Sequence, residues 1–152
     1  MREKLRLDVG CGSGQRYGFN PFYEADVFLD IEKPSIKIDN FIIADVCHLP
    51  FRNDQFETVY CSHVIEHLEN PILGIKELIR TSKKKVIIKT PHRYSVNAKR
   101  DPNHKSFFNV SWFRKLLNHL NVFYEINVSW QKRFYLLSMP NEIRIKVRKR
   151  IS

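Results

Sequence analysis

The stretch LRLDVGCGSGQ, Leu5 to Gln15, sets Asp8, Gly10, Gly12 and Gly14 at every second position directly behind a short apolar run. Such glycines reach backbone angles closed to other residues and let a ligand approach the main chain. The dinucleotide fingerprint G-x-G-x-x-G would need a glycine at position 15, where Gln15 stands, and no Gly-Lys-Ser/Thr ending marks a phosphate loop. A phosphate cradle is therefore the weaker reading. A second constellation is H-x-x-E-H at His63, Glu66 and His67. On a helical turn these three share one face at i, i+3 and i+4. Cys11, Cys47 and Cys61 are odd in number and widely spaced, matching neither a zinc nor a disulfide framework. Reduced thiols in a cytoplasmic protein are the simpler expectation.

These residues need elements to hold them, and the apolar pattern supplies candidates. Leu5–Val9, Asp26–Ile31, Phe41–Val46, Phe56–Ser62 and Lys85–Thr90 read as strands. Leu68, Ile72, Ile75 and Ile79, spaced 4-3-4, predict a helix over 69–82. Ser111 is the expected cap of a second helix striped by Trp112, Phe113, Leu116, Leu117 and Leu120. Two further strands, Val122–Ser129 and Arg133–Met139, leave no room for a helix between them, so they should pair antiparallel. The alternation of strands and connections predicts one α/β domain over 1–140, with Pro140 cutting off a basic C-terminal tail over 141–152. A frayed end is the expected state of that tail.

The 152 residues suffice for one domain with a real core, and 43% hydrophobic residues exclude a disordered chain. No apolar run reaches the ~18–20 residues of a membrane-spanning helix, and the charged start MREKLRLD reads as no secretory signal. The formal charge is +10, of which the 141–152 stretch carries a net +4, leaving +6 on the body. Such a field favours nucleic acid, anionic lipid surfaces or acidic metabolites as partners.

With the D-x-G-x-G-x-G spacing of Asp8 through Gly14, the chain resembles the class I S-adenosylmethionine-dependent methyltransferases. VYCSHVIEHLENP (Val59 to Pro71) and NHKSFFNVSWFRKLL (Asn103 to Leu117) resemble segments of the small type 11 subgroup. The resemblance spans about residues 5–139. It implies a Rossmann-like, mostly parallel sheet with helices on both faces and an antiparallel C-terminal strand pair. It also implies S-adenosylmethionine as cofactor, held by Asp8, Gly10, Cys11, Gly12, Gly14, Asp30, Ile31, Asp45, Val46, Ser62 and His63. Within that set Asp30 would accept the two ribose hydroxyls, a task suited to two carboxylate oxygens. Asp45 would take the adenine amino group, with Val46 beside the ring. Only about fifteen residues separate Gly14 from Asp30, and Asp30 from Asp45. The N-terminal helical region must be short, one sheet face thinly covered, and a homodimer is one way to cover it.

The resemblance implies methyl transfer to a small metabolite or an RNA. A base is needed only where the acceptor must lose a proton, and His63, His67 and His104 are the candidates, with His92 behind them. No metal is expected; the alternative is a soft ion such as zinc on His63, Glu66 and His67. No N/D-P-P-Y/F motif follows the fourth strand, which disfavours exocyclic base nitrogens as acceptors. Tyr17, Phe19, Phe22, Tyr23, Phe107, Phe108 and Trp112 are candidate aromatics at the mouth. Arg93, Lys99, Arg100 and Lys105 are candidate grips for an anionic acceptor. Two other readings compete: a non-catalytic basic binding module on the same fold, and a nicotinamide oxidoreductase.

Overall fold

The structure, a computed structural model, describes residues 5–12, 25–33, 37–133 and 137–149. Its strands are β1 (Arg6–Val9), β2 (Val27–Asp30), β3 (Phe41–Ile43), β4 (Phe56–Ser62), β5 (Ser82–Pro91), β6 (Phe123–Arg133) and β7 (Leu137–Arg148). They form one sheet in the order β3-β2-β1-β4-β5-β7-β6. β1 to β5 pair in parallel, and β7 lies antiparallel to both β5 and β6. The helices are α1 (Pro71–Thr81), α2 (Val96–Arg100) and α3 (Val110–His119), with 3-10 turns at Val46–His48 and Ile65–His67.

One apolar cluster fixes which face of the sheet is the core. It joins Leu7 and Val9 of β1, Val59 and Cys61 of β4, Val86 and Ile88 of β5, and Ile143, Ile145 and Val147 of β7. Ile75 and Leu78 of α1 and Phe113, Leu116 and Leu117 of α3 belong to the same cluster. Strand side chains alternate between faces, so both helices pack on one side. The short first helix expected before Asp30 lies outside the described residues.

Several local expectations are corrected. Most of the stretch expected as a tail is strand: β7 runs through Pro140 to Arg148 and is an interior strand of the sheet, while residues 150–152 lie outside the described residues. Ile143, Ile145 and Val147 are fully buried, which alternation with basic residues permits on a one-sided strand. Pro140 is tolerated because the register shifts between Ser129 and Trp130, opposite it, relieving the ladder. The cap of α3 is Asn109, whose Oδ1 accepts from the Trp112 N–H at 2.9 Å, rather than Ser111. In α1 the buried face is Gly74, Ile75, Leu78 and Thr81, while Ile72 is exposed. Asn70 caps that helix and Pro71 starts it, its missing N–H needing no partner there. The third strand stops at Ile43 because Asp45 turns the chain, its Oδ1 accepting from the Cys47 N–H at 2.8 Å.

Candidate active site

β1 pairs with β2 on one side and β4 on the other, so the strand order reverses at β1. Ligands of open parallel sheets bind beyond the carboxyl ends of the strands at such a switch point. A cleft of about 640 Å³ opens there, lined by the ends of β1, β2 and β4 and by the two 3-10 turns. Asp8, Asp30 and Asp45, at or just beyond three successive strand ends, all line it.

The loop after β1 is tied down by main-chain bonds. The Gly10 N–H donates to Leu29 O at 2.7 Å, and the Gly12 N–H donates to Asp30 Oδ2 at 2.9 Å. Gly10 and Gly12 have φ of 77° and 83°, the left-handed region that glycine reaches without strain. A Cβ on Gly10 would stand 2.0 Å from Val64 Cγ2, so this position also lets β1 and the β4 loop meet closely. Asp30 Oδ1 accepts from the N–H groups of Ile31 and Glu32. The carboxylate thus knits the glycine loop to its own turn and still points into the cleft. The Cys47 N–H and the His48 ring hold the Asp45 carboxyl below its ordinary range. Burial, with Asp8 and Asp30 close by, pushes the Cys11 thiol up to about 12. Cys11 is therefore a neutral wall of the cleft.

The far wall is built from His63, Glu66, His67 and His104. His63 sits in the left-handed region, φ 56°, just after β4, and its N–H donates to Lys89 O. Its ring is held between two carboxylates: Nδ1 is 3.3 Å from Glu66 Oε1 and Nε2 is 3.0 Å from Glu142 Oε2. Those neighbours, Glu66 first, raise its pKa against the opposing effect of burial. Glu66 is buried, with Oε2 accepting from Thr90 Oγ1 at 3.0 Å and Oε1 lacking a partner in hydrogen-bond geometry. His67 Nδ1 faces Asn103 O at 3.3 Å and His104 Nδ1 faces Ala98 O at 2.9 Å. A carbonyl only accepts, so each Nδ1 carries a proton, and in the neutral ring Nε2 is the acceptor. The two rings meet edge to face with centroids 4.7 Å apart.

One donor atom each from Glu66, His67 and His104 lies within 4.8 Å of the others. Two imidazoles and a carboxylate are a donor set suited to zinc. This triad differs from the sequence alternative: His104 takes the place of His63, which is turned toward Glu142.

The family described as "Methyltransferase domain" matches residues 7–88, more than half of the chain. The chain belongs to the type 11 methyltransferases. An uncharacterised protein of Methanocaldococcus jannaschii is 35% identical over 88 residues, covering 55% of this chain and 38% of that one. A tRNA U34 carboxymethyltransferase of Nautilia profundicola is 30% identical over 91 residues, covering 51% of this chain and 30% of that one. The chain thus spans about a third of the length of these relatives. A solved SAM-dependent methyltransferase of Thermotoga maritima has the same fold, with TM-score 0.68 at 15% identity over 99% of this chain and 84% of that one.

In this chain the cleft is lined by every residue expected to hold the cofactor except Gly14, which lies outside the described residues, and by His67 and His104. Tyr17, Phe19, Phe22 and Tyr23 also lie outside them. Phe108 and Trp112 are not at the mouth: they stack with each other and with Phe113 in the core. His92 is a structural histidine, buried, with Nδ1 accepting from the Tyr94 N–H. Arg93 lies over Tyr94, and Lys105 pairs with Glu69. Tyr60, Leu68, Asn97, Asp101 and Asn103 also line the cleft; Tyr60, Leu68 and Asn103 fall within the two quoted segments, whereas no motif marks Asn97 or Asp101. Glu142 carries no local signal of its role because its partner stands 79 residues away. Only its place in the Ile143, Ile145, Val147 alternation hints at a strand there.

Proposed function

We propose that this protein transfers a methyl group from S-adenosylmethionine to an acceptor that enters beside His104. The observation that carries the reading is the convergence of Asp8, Asp30 and Asp45 on one cleft behind a left-handed glycine loop. These residues fit the cofactor. Asp30 would offer the remaining capacity of its carboxylate to the ribose, Asp45 and Val46 would hold the adenine, and Gly10 to Gly12 would take the methionine end. When bound, the cofactor supplies an activated methyl group, so the protein's work is to hold the acceptor in line and exclude water.

His63 is a poor base, because both ring nitrogens face carboxylates that favour its protonated form. Its part is to brace Glu66 against β7. His104 is the better candidate. Its Nδ1–H is fixed on Ala98 O, which leaves Nε2 to take a proton from an acceptor that must lose one. Val64, Leu68 and Val46 supply the apolar wall that keeps water from the reacting atoms. RNA is the acceptor class favoured by the +10 charge, and one relative is named as a tRNA-modifying enzyme.

Calorimetric titration with S-adenosylmethionine, S-adenosylhomocysteine and NADH in parallel tests the cofactor. Micromolar binding of the two adenosyl ligands alone is the expected result. A folded protein that binds neither would overturn the reading and leave a basic binding module on a methyltransferase fold.

A further inference from the structure

The face of the sheet opposite α1 and α3 carries its own pattern. Residues between the core positions of β5, β7 and β6 point that way: Lys85, Ile87 and Lys89; Glu142, Arg144, Lys146 and Arg148; Phe123, Glu125, Asn127 and Ser129. Contacts agree with this assignment, since Lys89 Nζ lies 5.9 Å from the Tyr60 ring and Glu125 meets both Arg148 and Lys146. No described helix packs on this face. Arg144, Arg148 and Phe123 are exposed.

Five cations therefore share one patch. Glu125 is divided between two of them, and Glu142 is turned to His63. Lys85, Lys89 and Arg144 have no carboxylate in ion-pair reach among the described residues. Lys89 stands directly opposite Arg144, and Lys85 directly opposite Arg148. Like charges directly opposite each other weaken a sheet, so folding alone gives no reason to gather them here.

We propose that this face binds the phosphate backbone of RNA and leads the strand into the methyl-transfer cleft. Arg144, Lys146 and Arg148 recur every second residue, about 6.8 Å apart, which suits a polymer of regularly repeating anions better than scattered carboxylates on a protein. The row also has a direction. Its upper end is Glu142, bonded to His63 at the cleft, and Lys89 lies above Tyr60, which lines the cleft. Phe123, 56% exposed, marks the lower end. A second copy of this chain is a poor occupant, because two such faces repel each other. The proposal rests on the methyl-transfer reading and deepens it by naming the surface that grips its RNA substrate.

The test is fluorescence anisotropy of a labelled single-stranded RNA over a range of salt, with the triple variant Arg144→Gln, Lys146→Gln and Arg148→Gln. The expected result is at least tenfold weaker binding and a salt slope shallower by about 2, since each phosphate no longer neutralised takes away about 0.7. Arg114→Gln with Lys115→Gln on α3 should change the affinity less than threefold. The triple variant should melt no lower than the wild type, since it removes cross-strand repulsion, and should bind S-adenosylmethionine unchanged by calorimetry. Loss of cofactor binding in the wild type would strike the methyl-transfer reading, whereas RNA binding reports on this face alone. Wild-type protein that fails to bind RNA, equal loss in the α3 variant, or equal binding of polyglutamate would each overturn the proposal.

Discussion

His63 Nε2 stands 3.0 Å from Glu142 Oε2 and joins the end of β4 to the interior strand β7. The same ring reaches Glu66 on its other side. A residue 79 positions away in sequence thereby braces the cleft wall. A double-mutant cycle over His63→Ala and Glu142→Ala, read by urea unfolding, should return a coupling of about 0.5–1 kcal/mol, because both groups are part-exposed. A coupling near zero would mean that the pair does not form in solution.

Asp30 serves two purposes, accepting from the Gly12 N–H and facing the cleft. Asp30→Ala should weaken S-adenosylmethionine binding by about 10–100-fold, the loss of one or two hydrogen bonds to a charged group. Asp30→Asn should fall between, since it keeps one acceptor oxygen. Calorimetry reads both effects, and an affinity unchanged in the alanine variant would remove Asp30 from the cofactor site.

The strand ends are legible in the sequence because each apolar run ends within one residue of Asp8, Asp30 or Asp45, and a parallel sheet brings such ends together. That is why the local pattern locates the cleft. The pattern cannot show that Asp45 also caps a 3-10 turn, or that Glu66, His67 and His104 converge. The first depends on how the turn closes and the second on where the 101–106 loop docks, its Lys105 and Ser106 N–H groups both donating to Glu66 O. The 141–148 alternation is visible, but its run of cations resembles a solvated end. Insertion between β5 and β6 is a tertiary fact: Ile143, Ile145 and Val147 are needed to close the core.

The three thiols should react in a fixed order. Cys61 is fully buried and its pKa is pushed well above the ordinary thiol value by burial, with Glu66 and Asp8 adding to it. Cys11 is pushed up to about 12. Cys47 is half-buried and raised less, again chiefly by burial. A raised thiol pKa keeps the unreactive neutral form, so native protein at pH 8 should show one slowly reacting thiol, Cys47, with an arylating disulfide reagent. Raising the pH to about 9.5 should speed that thiol and leave Cys11 silent, while denaturant should release all three. Rapid native labelling at Cys11, located by peptide mapping, would contradict this wall of the cleft.

Arg80 pins the segment that carries the chain from the Val46–His48 turn into β4. Its guanidinium makes a two-point pair with Glu77 at 2.7 and 2.8 Å and donates to Phe51 O at 2.7 Å and Leu49 O at 3.0 Å. Glu77 in turn accepts from the Leu49 N–H. Arg80→Ala should cost about 2 kcal/mol in chemical denaturation, in the range for hydrogen bonds to charged groups. Arg80→Lys should recover less than half of that, since an ammonium lacks the planar fork. Full rescue by lysine would show that charge alone matters here.

Gly10 combines two demands that can be separated by mutation. Its φ of 77° disfavours any side chain, and a Cβ would lie 2.0 Å from Val64 Cγ2. Gly10→Ala should therefore destabilise the protein by about 2–4 kcal/mol, about 1–2 from the backbone and the rest from the clash. Val64→Ala in the same chain removes the clashing methyl groups but leaves the backbone cost. The double variant should consequently be more stable than Gly10→Ala alone and still less stable than Val64→Ala, as measured by thermal melting. Cofactor affinity should stay low in both Gly10 variants, because the Gly10 and Gly12 N–H groups hold their positions on Leu29 and Asp30 only in the left-handed conformation. If the double variant bound S-adenosylmethionine as tightly as Val64→Ala, the close approach to Val64, and not the backbone angle, would be the reason this position is glycine.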